Sequence, residues 1–241
     1  MSDDRNAYGQ PVGFAVAGWR PRPVPPQTPM PGRYCVVEKL DLRHEAELYT
    51  AYAQAADDRD WTYMSVGPFR DGVAYRAFVA EAILSEDPLH HAILDAETGR
   101  AVGTAALMRI DPANGVMEVG HIAYAPSLKR SRAGTEAMFL LMRRAFDELG
   151  YRRYEWKCDS LNAPSREAAK RYGFRFEGIF RQAVVYKGRN RDTAWFAITD
   201  RDWPLLRSAF AQWLALENFD DSGRQHESLA AIRSALEARQ A

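Results

Sequence analysis

Two short stretches of this chain bring chemically capable residue types together. The first is a basic loop, Lys129, Arg130, Ser131, Arg132, Ala133, Gly134 and Thr135, lying between an apolar run and a long amphipathic one. Where such a loop enters a helix, the first backbone N–H groups have no partner within the helix and present the positive end of its dipole. That setting suits phosphate. The second is Asn162-Ala163-Pro164-Ser165, leading to Tyr172-Gly173-Phe174. Asn162 suits a helix N-cap and Gly173 the residue just past a helix end, so capping alone would account for both. Cys35 and Cys158 are too few for a disulfide framework and too far apart for a metal site, and read as small core hydrophobes.

The elements that position these stretches follow from periodicity. Residues 1–33 carry prolines at 11, 21, 23, 25, 26, 29 and 31, which forbid a helix or a central strand and predict an extended arm. Phe14 and Trp19 are costly to leave in water, so the arm is either draped on a surface or packed on a second subunit. From residue 34 the pattern is mixed: a strand at 33–40, helices at 42–55 and 71–85, and strands at 91–95, 101–111 and 116–124 separated by turn chemistry. A helix reaching 149 and stopped by Gly150, a strand at 154–158, a helix at 162–172 and strands at 178–186 and 193–199 complete a domain spanning 34–200. Two amphipathic helices, at 203–216 and 227–239, form a C-terminal extension over 201–241.

In this order, the motifs resemble the GCN5-related N-acetyltransferase superfamily, and within it the RimJ/RimL-type branch. The residues that carry the resemblance are Glu118-Val119-Gly120-His121-Ile122, Gly134-Thr135-Glu136-Ala137, Asn162 to Ser165, Tyr172-Gly173-Phe174, Glu177-Gly178, Arg181, Gly188 and Asp192. The resemblance covers 34–199. It implies an α/β fold with a mostly antiparallel twisted sheet flanked by helices, in which a central strand splays from its neighbour. It also implies acetyl-CoA as co-substrate and no metal. Backbone groups near Ile122, Ala123 and Tyr124 would meet the pantetheine arm, residues 130–135 the pyrophosphate, and Asn162 would complete the cofactor set. The family's loop usually follows Gln/Arg-x-x-Gly-x-Gly/Ala, and here Arg130 and Arg132 stand where small residues are usual. Fewer glycines narrow the backbone angles available to the loop, whereas two guanidinium groups beside a bisphosphate would compensate through charge-assisted hydrogen bonds.

Acetyl transfer to an amine needs a neutral nucleophile and a proton for the departing thiolate. Strand alternation puts Glu118 on one face with Gly120 and Ile122, beside the implied cleft, and makes it the first candidate base. An exposed strand carboxylate is the structural alternative. His121 ranks second: regular pairing turns it to the opposite face, and a bulge would reverse that. The tyrosine that many family members place before the Gly-Phe pair is Ala169 here, so the acid role passes to Ser165, unless its hydroxyl simply bonds the backbone. Trp61, Tyr63 and Trp156 would line the acceptor pocket, although aromatics are as readily core. Lys157 and Asp159 either pair with each other or flank the acceptor.

Composition narrows the partners. Thirty-two Lys and Arg balance 32 Asp and Glu, which disfavours nucleic acid and acidic membranes as partners. No stretch approaches the ~18 to 20 apolar residues of a membrane span, and the expected setting is cytoplasmic. The resemblance implies a primary amine as acceptor, on a protein N-terminus or a small molecule, and a homodimer is compatible with the arm. The competing reading is a catalytically weak acyl-CoA-binding regulatory module of the same fold.

Overall fold

The computed structural model describes residues 4–239, so the first three residues of the arm and the last two of the extension lie outside the described residues. The chain runs β1 (Met30–Pro31), β2 (Cys35–Lys39), α1 (Glu45–Tyr52), α2 (Gly72–Ala82), β3 (Leu89–Asp95), β4 (Ala101–Asp111), β5 (Val116–Tyr124), α3 (Arg132–Arg143), β6 (Arg153–Asp159), α4 (Ala163–Tyr172), β7 (Arg175–Tyr186), β8 (Arg189–Thr199), α5 (Trp203–Trp213) and α6 (Leu229–Ala238). The strands form one eight-stranded sheet in the order β1-β2-β3-β4-β5-β6-β8-β7. All neighbours are antiparallel except β5 and β6. A parallel pair cannot be joined by a hairpin, so α3 serves as the crossover between them.

Alternation along the strands divides the core. One face sends Ile93, Leu107, Val119, Tyr154 and Phe196 against α3 and α4, with α5 and α6 packed behind in the same cluster. The other face, with Ala92, receives Leu48 of α1 and Tyr75 and Val79 of α2. The C-terminal helices therefore share the main core, with Phe139 of α3 stacked on Phe210 and Trp203. The expected helix up to Gly150 starts earlier, at Arg132, and its last turn widens to a π-turn over Arg144–Glu148.

From Phe14 onward the arm runs along the chain's own domain. Proline-rich backbone supplies carbonyl acceptors with few N–H donors, and side chains of the domain take them up. The buried Arg144 guanidinium donates to the carbonyls of Pro26 and Thr28, and the Tyr151 hydroxyl to that of Pro23. Trp19 returns a bond from its indole N–H to the Ala113 carbonyl, 2.8 Å away. At the junction with β2, the buried carboxylate of Glu136 accepts the N–H groups of Arg33, Tyr34 and Cys35. Gly32 has no Cβ because that carboxylate occupies the space.

Candidate active site

The site grows from two irregularities in β5. Against β4, Gly120 lies opposite Ala106 and Ala123 opposite Thr104, so His121 and Ile122 together face the single residue Ala105. His121 takes a positive φ of 48° to make this bulge. Against β6, pairing runs from Val116 opposite Arg153 to Val119 opposite Trp156 and then stops, although β5 continues to Tyr124 and β6 to Asp159. The central strands thus part as expected of a splayed pair.

Main-chain groups in the gap can be assigned by alternation. The Ala125 N–H donates to the Val102 carbonyl on β4, so Ala123, two residues earlier, also addresses β4. Its carbonyl in addition accepts the Tyr52 hydroxyl at 3.1 Å. Ile122 and Tyr124 turn their main-chain groups the other way, toward the gap. Ala123 is therefore a correction to the expected trio of pantetheine contacts.

At the mouth of the gap, Ser131 caps α3 by accepting the Gly134 N–H at 2.9 Å, which leaves the N–H groups of Arg132 and Ala133 without helical partners. Gly134 is required by close packing, since a Cβ would stand 2.5 Å from the Leu128 carbonyl oxygen. Arg130 is exposed and has φ 57°. Arg132, expected beside the pyrophosphate, instead has its guanidinium carbon 4.9 Å from the ring centroids of both Tyr34 and Phe219. The loop is thereby clamped to the C-terminal extension. Thr135 is also turned inward: it is buried, and its hydroxyl accepts from Arg171 at 3.2 Å. An open inter-strand gap, the first N–H groups of α3 and an exposed Arg130 would suit a pantetheine bisphosphate, whereas the Ala123 carbonyl and the Arg132 and Thr135 side chains are engaged elsewhere.

Across the gap, α4 begins as the sequence suggests. Asn162 accepts the Ser165 N–H at 3.1 Å, an N-cap, and the Ser165 hydroxyl accepts the Trp156 indole N–H at 3.0 Å. Trp156 faces α4 and packs on Tyr172 and Phe174. It is core on the side opposite Glu155 and Lys157, which corrects its assignment to the acceptor wall. The alternation Tyr154, Trp156, Cys158 against Glu155, Lys157, Asp159 was the available signal. Cys35 and Cys158 are both free and buried, as expected of core thiols.

On the α1–α2 face, Glu118 sits opposite Glu155 across the parallel pair. Two adjacent buried carboxylates need a cation, and Lys157 supplies it, with its ammonium 2.9 Å from Glu118 and 2.6 Å from Glu155. Arg109 approaches the same Glu118 oxygen, Oε2, at 3.0 Å. Burial raises the Glu118 carboxyl above its ordinary range, against the pull of Lys157 and Arg109. Lys157 therefore pairs with the glutamates rather than with Asp159, which accepts the Tyr186 hydroxyl at 2.9 Å.

Beyond Glu118 the bulge carries His121 to this same face. There a narrow cavity of about 10 Å³ is walled by Tyr52, Trp61, Phe78, His90, Thr104 and His121, among others. The imidazoles of His90 and His121 stand 5.1 Å apart, centroid to centroid. Burial pulls His90 down to about 4 and lowers His121. Trp61 closes the cavity from a loop that is tied down on two sides: Lys187 donates to the Trp61 carbonyl at 2.7 Å, and Lys129 pairs with Asp60. Tyr63 lies in this loop, outside the cavity wall. His90, Tyr52 and Thr104 escaped sequence reasoning, because strand and helix residues far apart in the chain meet only here.

A mixed sheet parted at one parallel pair, with a capped helix beginning at the opening, defines an acyl-transfer fold. Residues 38–175 match the acetyltransferase (GNAT) domain family, and the chain belongs to it. It is similar to a GCN5-related N-acetyltransferase from Brucella melitensis, with 47% identity, a TM-score of 0.89, and coverage of 91% of this chain and 100% of that one. A GNAT-family structure from Chromobacterium violaceum is 40% identical with a TM-score of 0.75, covering 81% of this chain and 98% of that one. The uncharacterized N-acetyltransferase p20 of Bacillus licheniformis is 29% identical over 175 residues, 69% of this chain and 96% of that protein. The chain is thus a GNAT-type, acetyl-CoA-dependent N-acetyltransferase in general class. Among the described residues, no helix is long and apolar enough to cross a membrane.

Proposed function

We propose that this protein transfers the acetyl group of acetyl-CoA directly to a primary amine, on a protein N-terminus or a small molecule, in the manner of the RimJ/RimL-type branch. The parting of β5 and β6 beside the α3 N-terminus is the observation that carries this reading. Acetyl-CoA supplies an acyl group activated as a thioester. Ile122 and Tyr124 bind its pantetheine arm through main-chain groups, and Arg130, with the N–H groups of Arg132 and Ala133, holds its bisphosphate. Ser165, at the α4 start and oriented by Trp156, supplies a proton to the departing thiolate, directly or through water.

Glu118 is buried with Oε2 between two cations and is absent from the cavity wall, so its part is to hold β4, β5 and β6 together. A base must first reach the proton it removes. Cytoplasmic residence accords with the two free cysteines. Homodimerisation would cover Phe180 and Val185, exposed on the edge strand β7, and is measured by size-exclusion chromatography. The deciding experiment follows CoA thiol release and product mass with acetyl-CoA and a panel of primary amines. A 42-dalton gain on an amine, roughly the mass of an added acetyl group, supports transfer. CoA binding without release for every amine would favour the regulatory acyl-CoA-binding module.

A further inference from the structure

The wall of the cavity beside the β5 bulge carries no permanently charged side chain: among the described residues lining it, none is a carboxylate, a lysine or an arginine. Its walls are aromatic and aliphatic, and its polar groups are the Thr104 hydroxyl, the Tyr52 hydroxyl and the two histidines. The tyrosine is already committed, to the Ala123 carbonyl at 3.1 Å and the Thr104 hydroxyl at 3.2 Å. An ammonium ion or a second cationic group entering here would be desolvated without a counter-charge. A free amine next to an apolar group would lose little.

We propose, on the basis of the transferase reading above, that this narrow cavity admits the nitrogen of a primary amine while the apolar or aromatic group beside it rests against the Trp61 loop that closes it, and that His121 is the catalytic residue that takes the amine proton. The bulge is what gives His121 the role. In a regular ladder the residue after Gly120 would face α3, but the inserted residue brings its imidazole to the cavity, where β5 also borders the inter-strand gap. His90 lies beside it on β3 and, being uncharged over the working range, does not compete for the amine as a cation would. Other titratable groups on this side include Tyr52 of α1, Tyr75 of α2, and Glu118 on the same strand with Glu155, Arg109 and Lys157 around it.

The step balances without a further reagent. The amine nitrogen gives its lone pair to the thioester carbonyl carbon as the carbon–sulfur bond breaks. The amine proton passes to His121, and the thiolate takes one from solvent or from Ser165, which is reprotonated by solvent as His121 returns its proton there.

The test pairs α-amines of similar basicity, phenylalanine amide and leucine amide against lysine amide and arginine amide, and compares His121→Ala with wild type. The expected result is at least a tenfold higher kcat/KM for the apolar amides. His121→Ala should keep its acetyl-CoA affinity and melting temperature, lose about 10² to 10⁴-fold in kcat, and recover part of that loss with added imidazole. Wild-type kcat should level off above the lowered His121 pKa, while the variant's rate keeps rising with pH. Preference for the cationic amines, or a His121→Ala variant as active as wild type, overturns the inference alone. Silence with every amine overturns the transferase reading and this inference together.

Discussion

Glu136 offers a direct test of how the phosphate loop is held. Its carboxylate, 6% exposed, lies on the second turn of α3 and accepts main-chain N–H groups of Arg33 at 2.8 Å, Tyr34 at 2.6 Å and Cys35 at 2.9 Å. Glu136→Gln keeps the shape and removes the charge. With its amide oxygen toward Tyr34 and Cys35, the amide nitrogen must face the Arg33 N–H, donor against donor. One charge-assisted bond is lost, at about 1.5 to 3 kcal/mol, and two become neutral bonds worth about 1 kcal/mol less each, for a total of about 3 to 5 kcal/mol. For a chain of this size that corresponds to roughly 10 °C in melting temperature. Because Tyr34 stacks on Arg132, loosening this junction should also weaken acetyl-CoA binding. Thermal melts and urea midpoints give the stability, and calorimetry the affinity. A variant melting within about 3 °C of wild type would refute this account of the junction.

Ser165→Ala should lower turnover more than acetyl-CoA affinity, with the deficit shrinking above the thiol pKa of about 8.5, where the leaving group needs no proton; a pH-independent deficit counts against the role. Arg130→Ala should weaken acetyl-CoA more than an acetylated pantetheine lacking the bisphosphate, whereas Arg132→Ala should act mainly through stability, since its guanidinium is held by Tyr34 and Phe219; equal effects of Arg130→Ala on both ligands would argue against a phosphate contact. Removing residues 1–28 takes away the carbonyl partners of Arg144 and Tyr151 and should lower the melting temperature, and an unchanged melt would make the arm energetically idle. His90 and His91 are both kept neutral by burial, down to about 4. Below the ordinary histidine pKa of about 6.5 the unfolded chain takes up protons that the fold refuses. Stability should therefore fall as pH drops from about 6.5 toward 4, by about 1.4 kcal/mol per unit for each histidine, and His90→Gln should lessen that slope in urea titrations.

The fold and the capped start of α3 were legible because their signals are local. Apolar runs set the strands Ala101–Asp111 and Val116–Tyr124, Ser131 and Asn162 lie where caps are needed, and prolines limit the arm's share of the sheet to the two-residue edge strand Met30–Pro31. The roles of single side chains were less legible. Trp156 had an alternation that could have placed it in the core, but Arg132 gave no sign of a clamp, because Phe219 approaches only once α5 and the turn after it fold back on α3.

Sequence by itself determined the class of most elements, the order of the motifs and the family they belong to, since periodicity and capping act over a few residues. Tertiary structure alone decided which groups meet. One extra residue in β5 opposite Ala105 reversed the facing of His121, a register that depends on pairing with β4 and is written in neither strand alone. The parallel alignment of β5 and β6 set Glu118 opposite Glu155 and drew Lys157 between them. Long-range pairing fixes side-chain direction and charge neighbourhood together, and so decides which of two candidate bases lies buried in an ion pair and which lines the cavity.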